Sequence, residues 1–353
     1  MKINFFLPGI GMKITGGYKV VYQYANFLSD KGNEVTIYYD INNGKNNKHI
    51  PCWIMRWIKS RLIKKYPYYW FKLNKKIKQN VIMTINDENV ENADISIATA
   101  FRTSKAVNEL TDDKGKKIYF IQGYEEWGNT TKNMLIESYK YSMKKIVVSN
   151  WLKEIVDQYS EEKAIVVSNG IDIDNVFKCS NCIENRNNYS IIMLYHKERI
   201  KGCEYGLEII KKLKNEFPEL QVQLFGFPDR DSNIPEWVKY KQDANEMDVA
   251  KLMNENAIYM CTSLQEGFGL TGLEAMACGC ALITTDCKGV LEYANHENSL
   301  ISRIDNFEEM LNNVRELLNN KERRIMIAKN GLKTVKTKSI NIKCDEFKKA
   351  IMQ

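Results

Sequence analysis

The sequence is poor in histidine and has no long hydrophobic run. The three histidines, His49, His196 and His296, are far apart along the 353 residues, so they give no sign of a histidine metal site. No stretch offers the about 20 apolar residues that a transmembrane helix needs. The short apolar run at the N-terminus stops at Pro8-Gly9, and we expect it to form a buried strand rather than a signal peptide.

The cysteine spacings of a disulfide framework or of a zinc finger are also missing. The nine cysteines are scattered and odd in number, which is typical of reduced thiols in a cytoplasmic protein and argues against a disulfide framework. Cys179 and Cys182 form one C-x2-C motif, but no second pair follows at the spacing of a zinc finger. The sequence therefore predicts no bound metal and a cytoplasmic location.

Acidic residues are absent from residues 41–86, which instead contain eleven Lys or Arg in a chain of net charge +7. Aromatic residues are interleaved with these cations: Trp53, Trp57, Tyr66, Tyr68, Tyr69, Trp70 and Phe71. We predict a helix over about 52–65 that mixes apolar and cationic side chains on one side.

This basic aromatic segment (residues 41–86) allows two main interpretations. Residues 51–80 could lie on an anionic membrane surface, with aromatic rings at the level of the headgroups. Alternatively, the segment is a folded insertion whose aromatics are core and whose lysines are solvated. Nucleic acid is the third potential partner, through phosphate contacts and base stacking, but we predict that none is bound.

The remaining sequence alternates short apolar runs with amphipathic helical segments, and this pattern occurs twice. Such alternation predicts parallel sheets covered by helices on both faces. We therefore expect an α/β protein with two doubly wound, Rossmann-like domains that face each other across a cleft. The predicted parts are an N-terminal domain (1–170), a polar linker (171–188), a C-terminal domain (189–336) and a terminal helix (337–353).

The most informative stretch is 263–279. Glu266 follows an apolar, strand-like run, and the segment Gly267-Phe268-Gly269-Leu270 then leads into a helix. The glycines allow the turn to point backbone N–H groups at an anion, and the N-terminus of the helix adds unpaired N–H groups and a positive dipole. Glu274 falls within two turns of the helix start, where it could reach a ribose diol. The order carboxylate, phosphate turn, carboxylate predicts a nucleoside-diphosphate site.

This stretch resembles the E-x7-E signature of family 4 glycosyltransferases, which have the GT-B fold and retain the anomeric configuration of the sugar. The resemblance implies a nucleotide-diphosphate sugar as donor, with no cofactor and no metal, because cations and helix-terminal amides neutralise the leaving diphosphate. It implies that Glu266 contacts donor-sugar hydroxyls, that the backbone of Phe268 to Leu270 holds phosphate or sugar, and that Glu274 binds ribose. It also implies that the terminal helix crosses back onto the N-terminal domain.

A basic motif of that family matches in part. Lys201-Gly202 corresponds to its Lys-Gly pair, and the resemblance places Lys201 on the diphosphate with Arg199 assisting. The family's usual arginine, five residues before the Lys-Gly pair, is replaced here by His196. Either Arg199 or Lys197 supplies the missing charge, or His196 donates a hydrogen bond to the donor.

The N-terminal domain matches the family less closely. Gly16 and Gly17 correspond to a glycine pair that begins a helix facing the donor phosphate or the acceptor. Many family members carry a histidine after a strand of this domain, whereas the stretch 119–127 has none. Its Gln-x-Tyr-Glu version looks similar to a subgroup that includes bacterial polysaccharide rhamnosyltransferases. Gln122 and Glu125 are therefore both candidates for the acceptor side.

The resemblance thus implies a retaining hexosyltransferase that moves a hexose or deoxyhexose to a glycan or lipid-linked glycan acceptor in cell-surface polysaccharide synthesis. It would act in the cytoplasm or peripherally on the inner face of the membrane. Two alternatives stay open. One is a GT-B relative with other chemistry, such as a nucleotide-sugar epimerase, and the other is a non-catalytic relative that binds nucleotide sugar or glycan.

Overall fold

The structure is a computed structural model that describes residues 1–11, 15–41, 52–62, 70–126 and 129–353, with the backbone alone for 52–56. The described chain divides into two compact units. The first unit contains Met1–Ser168 and Lys343–Gln353, and the second contains Asn169–Ile342. Residues 171–188, treated above as a linker, are therefore part of the second unit.

The first unit is built on a parallel sheet, with seven strands among the described residues. Its strands are β1 (Lys2–Leu7), β2 (Glu34–Asp40), β3 (Lys78–Ile82), β4 (Ile95–Ala98), β5 (Lys116–Ile121), β6 (Lys144–Val147) and β7 (Ile165–Val166). Its helices are α1 (Gly16–Asp30), α2 (Cys52–Leu62), α3 (Phe101–Asn108), α4 (Lys132–Tyr139) and α5 (Asn150–Val156).

The spatial order of these strands is β3-β2-β1-β4-β5-β6-β7, so the direction of winding reverses between β1 and β4. The central strands are buried along almost their whole length, as expected for a parallel sheet covered on both faces. The loops that follow β1 and β4 leave the carboxyl edge of the sheet at this reversal, which is where doubly wound sheets bind ligands.

The second unit repeats this plan with six strands among its described residues, in the order β10-β9-β8-β11-β12-β13. The strands are β8 (Ser190–Tyr195), β9 (Gln221–Gly226), β10 (Lys239–Gln242), β11 (Ile258–Cys261), β12 (Ala281–Thr285) and β13 (Ser299–Ser302). The helices are α6 (Cys203–Glu216), α7 (Glu246–Glu255), α8 (Leu270–Ala277), α9 (Phe307–Asn319) and α10 (Lys321–Val335).

The last helix, α11 (Ile340–Met352), contributes its residues from Lys343 onward to the first unit. Phe347 is fully buried there, and its ring stacks on that of Tyr24 at a centroid distance of 4.0 Å. The rings of Phe5 and Phe120 lie 6.5 and 5.3 Å from it. The helix begins at Ile340 rather than at the predicted residue 337, since Lys336–Lys338 form a 3-10 turn.

The basic aromatic segment is partly integrated into the first unit. Its end forms strand β3, and Trp70 and Phe71 pack against the Tyr22 ring of α1 at centroid distances of 5.5 and 5.4 Å. These two aromatic side chains are half-buried and take part in the packing of the first unit. Residues 42–51 and 63–69, including the end of the helix predicted over 52–65, lie outside the described residues.

Within the described ranges, no helix combines the length and the apolar character needed to cross a membrane.

Candidate functional site

The candidate site lies at the carboxyl edge of the second unit's sheet. Strands β8 and β11 are adjacent at its centre, and the winding direction reverses between them. The loop after β8 contains Lys201, and the loop after β11 contains Glu266. The sequence motifs therefore come together at the reversal point, where open α/β sheets bind ligands.

Gly202 allows these two loops to approach closely. Its φ is +59°, and a Cβ atom at this position would lie 2.0 Å from the carbonyl oxygen of Thr262. Only glycine fits both conditions without strain. The Leu264 N–H donates to the Ile200 carbonyl at 2.8 Å, which joins the loops a second time.

Lys201 and Glu266 form an ion pair in this site. The Lys201 Nζ donates to both oxygens of the Glu266 carboxylate, at 2.8 and 3.0 Å. The side chains are 24% and 14% exposed, so solvent screens the pair only partly. Burial alone would lower the pKa of Lys201, but the adjacent Glu266 carboxylate raises that pKa above its usual value.

The turn after Glu266 presents its backbone rather than its side chains. Phe268 is buried, with its ring 5.4 Å from that of Tyr293. Gly269 has φ +82° and immediately precedes the first residue of α8. The Tyr293 hydroxyl donates a hydrogen bond to the Gly269 carbonyl, and this bond holds the turn in place. The turn can thus offer N–H groups at a helix N-terminus to an anion.

Glu274 is the fifth residue of α8 and is buried. Its place on the same short helix as the glycine turn keeps it close to any group that the turn binds. The structure therefore brings Lys201, Glu266, Gly267, Gly269 and α8 together in one unit.

The other cations of the basic motif are placed differently. Arg199 and Lys197 are exposed, and Arg199 makes no ion pair within the part of the chain that the structure describes. The His196 ring accepts the Glu198 N–H through Nδ1 at 3.1 Å. Nε2 is therefore the position that carries the proton of the neutral ring, and it is available as a hydrogen-bond donor.

A second group of candidates gathers in the first unit, considered by itself. Gly16 and Gly17 are the first residues of α1, and a Cβ at Gly17 would lie 3.5 Å from the Gln122 Nε2. Gln122 follows β5 and donates to the Thr99 carbonyl after β4, at 3.4 Å. Its Oε1 is buried and has no hydrogen-bond partner in the described chain.

Glu125 follows Gln122 in the same loop and contacts the start of α3. Its two carboxylate oxygens accept the Phe101 N–H at 3.2 and 3.1 Å. Burial raises the pKa of Glu125 to about 7, although the Phe101 N–H and the Arg102 charge oppose the rise. The pKa of Glu125 therefore lies near neutral pH, as the pKa values of catalytic acids and bases often do.

Sequence reasoning missed the side chains that support these groups. Ser263, whose hydroxyl donates to the Glu266 Oε1 at 2.7 Å, precedes the signature without any pattern of its own. Thr99 and Phe101 could have been found, because they directly follow a central strand at the reversal of the first sheet.

No cluster of His, Cys, Asp and Glu suited to a metal ion occurs among the described residues.

Residues 183–334, most of the second unit, match the family model described as glycosyl transferases group 1. An uncharacterized glycosyltransferase of Haemophilus influenzae is 26% identical over 157 residues, covering 42% of this chain and 44% of that protein. The N,N'-diacetylbacillosaminyl-diphospho-undecaprenol alpha-1,3-N-acetylgalactosaminyltransferase of Campylobacter jejuni is 32% identical over 85 residues, covering 24% and 23%. The chain thus spans less than half the length of these two relatives.

Among solved structures, Anabaena Alr3699/HepE in complex with UDP-glucose superposes with a TM-score of 0.76 at 16% identity, covering 100% of this chain and 99% of that one. At this identity the likeness establishes the fold alone. It confirms the predicted fold class: an α/β chain of GT-B type with two doubly wound, Rossmann-like units.

Proposed function

We propose that this protein is a nucleotide-sugar-dependent, retaining glycosyltransferase that moves a hexose or deoxyhexose to a glycan acceptor in cell-surface polysaccharide synthesis. The observation that carries the proposal is the Lys201–Glu266 pair beside the Gly267–Gly269 turn, at the reversal point of the second sheet. The family match over the same residues supports it.

Each group has a role in this reaction. The bond between the anomeric carbon of the sugar and the diphosphate breaks, the acceptor oxygen forms the new bond to that carbon, and its proton passes to the departing diphosphate. Lys201 and the backbone amides at the start of α8 stabilise the charge that develops on the diphosphate. Glu266 binds hydroxyls of the donor sugar, and Glu274 binds the ribose. In this proposal these groups replace a metal ion.

The relatives suggest which substrates to test first. Alr3699/HepE was solved with UDP-glucose, so we propose a UDP-sugar as the first donor. The name of the Campylobacter jejuni relative contains a diphospho-undecaprenol acceptor, so we propose a lipid-linked glycan as acceptor.

The test is nucleoside-diphosphate release from each donor with and without a mixture of lipid-linked and free glycan acceptors. A transferase releases the diphosphate faster when acceptor is present, and Lys201→Met lowers that rate at least about 100-fold, the usual effect of losing such electrostatic stabilisation. Lys197→Met, which removes an exposed cation of the same loop, changes the rate little.

Two results would contradict the proposal. An epimerase would convert the donor sugar without acceptor, as seen by NMR of the donor. A non-catalytic relative would bind the donor without releasing diphosphate under any condition.

We also propose that α2 contacts an anionic membrane surface, where lipid-linked acceptors are found. Trp57 on this helix is 53% exposed, and Ile58 beside it is also exposed. The Arg61 guanidinium lies 3.9 Å from the centre of the Trp57 ring. An exposed aromatic with a neighbouring cation is typical of interfacial helices.

Co-sedimentation with vesicles tests this surface. We expect the wild type to prefer vesicles with anionic lipid over neutral ones, and the double variant Trp57→Ala, Ile58→Ala to lose most of that binding. Met247→Ala is the control, because Met247 is an exposed apolar residue of the second unit. Equal binding to both vesicle types, or no effect of the double variant, would remove the membrane surface from the account.

A further inference from the structure

The carboxylate of Glu266 is held by the side chains of two residues within the described chain. Lys201 donates to both of its oxygens, and the Ser263 hydroxyl donates to Oε1 at 2.7 Å. The backbone of Glu266 is fixed as well, because its N–H donates to the Cys287 carbonyl and its carbonyl accepts the Gly289 N–H, at 3.0 and 3.1 Å. Glu266 is therefore anchored, whereas the long side chain of Lys201 can turn.

The proposed function gives the ammonium of Lys201 two partners. It points at both oxygens of Glu266, yet the same ammonium must neutralise the donor diphosphate. Moving Lys201 from the carboxylate to the diphosphate leaves Glu266, which is only 14% exposed, without its counter-ion. A buried charge that loses its partner is strongly destabilised unless other hydrogen bonds remain.

Ser263 supplies such a remaining hydrogen bond. Ser263 is buried, and its carbonyl accepts a hydrogen bond from the hydroxyl of Thr285, the last residue of β12. This bond fixes the backbone of Ser263. Its hydroxyl reaches Oε1 independently of Lys201. Hydrogen bonds to a charged group are among the stronger ones in proteins.

We propose that the donor diphosphate competes with Glu266 for Lys201, and that Ser263 is the positioning residue that holds Glu266 when Lys201 moves to the diphosphate. This inference rests on the proposed function of the same site. Donor affinity is then set by the strength of the Lys201–Glu266 pair and by the hydrogen bond that Glu266 keeps.

Two neighbouring substitutions should therefore change diphosphate affinity in opposite directions. Glu266→Gln removes the charge that competes for Lys201 but keeps an oxygen that can accept a hydrogen bond from the Ser263 hydroxyl. The diphosphate therefore binds more tightly. Ser263→Ala leaves the competing pair intact but removes the remaining hydrogen bond, so binding becomes weaker. General damage to the loop would weaken binding in both variants.

The experiment is calorimetric titration of the wild type and variants with UDP, and with GDP, dTDP and ADP if UDP does not bind. We expect Glu266→Gln to bind about tenfold tighter, which is about 1.4 kcal/mol, and Ser263→Ala to bind severalfold weaker. In the Glu266→Gln background, Ser263→Ala should change nucleotide affinity little, because residue 266 then carries no charge that the Ser263 hydroxyl must stabilise.

Glu198→Gln is the control for long-range charge. Glu198 is an exposed carboxylate of the same loop as Lys201, and it makes no hydrogen bond to the Lys201 ammonium among the described residues. The inference is wrong if Glu198→Gln tightens binding as much as Glu266→Gln does, or if Ser263→Ala weakens binding equally in both backgrounds. Binding of no nucleotide to the wild type would instead overturn the proposed function itself, and the inference with it.

Discussion

At the scale of single residues, the sequence predicted the charged groups better than their supports. Glu266 was found because it directly precedes a Gly-Phe-Gly turn and a helix, and Lys201 because Lys201-Gly202 resembles the basic motif of the family. Ser263 was not found, because a serine before a glutamate has no meaning until folding brings its hydroxyl to the carboxylate. A hydrogen-bond partner depends on rotamers and loop geometry, which sequence spacing does not encode.

The raised pKa of Glu125 predicts a pH-dependent stability. Because its pKa is about 7 in the folded protein, against 4.5 normally, the folded state binds the proton more tightly than the unfolded state. The free energy of unfolding therefore falls as the pH rises from about 4.5 to about 7. Glu125→Gln should remove this fall and make the protein more stable at pH 8, by on the order of 2–3 kcal/mol.

Urea unfolding at pH 4.5, 6 and 8 measures this effect. Glu126→Gln, a change in the exposed neighbour, should keep the pH dependence of the wild type. Equal stability of the Glu125→Gln variant and the wild type at pH 8 would show that the Glu125 carboxylate is not destabilised by its surroundings.

Gly202 offers a second test at this scale. Gly202→Ala should lower the free energy of unfolding by more than about 2 kcal/mol, since its Cβ would overlap the Thr262 carbonyl and its φ is positive. Gly32→Ala is the matched control, because Gly32 has φ +84° with nothing within 4 Å of a Cβ. We expect it to cost only about 1 kcal/mol. Equal effects in thermal or urea unfolding would argue against the close approach of the two loops.

At the scale of secondary structure, buried strands were predicted well and edge strands were missed. β8 is buried along almost its whole length and contains the apolar run Ile191-Ile192-Met193-Leu194, which a search for short apolar runs detects. β3 and β10 lie at the edges of the two sheets; β3 contains Lys, Gln and Asn, and β10 contains Lys and Gln. Edge strands need no apolar side chains on both faces and often carry charge, so a search for apolar runs does not detect them.

The terminal helix gives the test at this scale. Phe347→Ala should lower the free energy of unfolding of the first unit by about 3–5 kcal/mol, because it removes the ring that packs among Phe5, Tyr24 and Phe120. Met352→Ala, at the exposed end of the same helix, should cost less than about 0.5 kcal/mol. A small effect of Phe347→Ala would mean that α11 contributes little to the stability of the first unit.

At the scale of the whole molecule, the repeated alternation of strands and helices was enough to predict two doubly wound sheets. The reason is that right-handed crossovers leave few topologies open once the elements are known. The site in the second unit was also predictable, because its signature follows a central strand. The candidates in the first unit, Gln122 and Glu125, could not be ranked, because they differ in their hydrogen bonds, which the sequence does not encode. Gln122 donates to the Thr99 carbonyl, whereas Glu125 accepts the Phe101 N–H at the start of α3.

The central claim is that the second unit binds a nucleoside diphosphate through the Gly267–Gly269 turn and α8. The most direct measurement is a thermal-shift panel of UDP, GDP, dTDP, ADP and their sugars on the wild type and on Glu274→Ala. At 100 times its dissociation constant, a ligand adds about 2.7 kcal/mol to stability. We predict that one nucleotide raises the melting temperature of the wild type and leaves that of a folded Glu274→Ala variant unchanged. A panel without any shift, or an equal shift in both proteins, would contradict the claim.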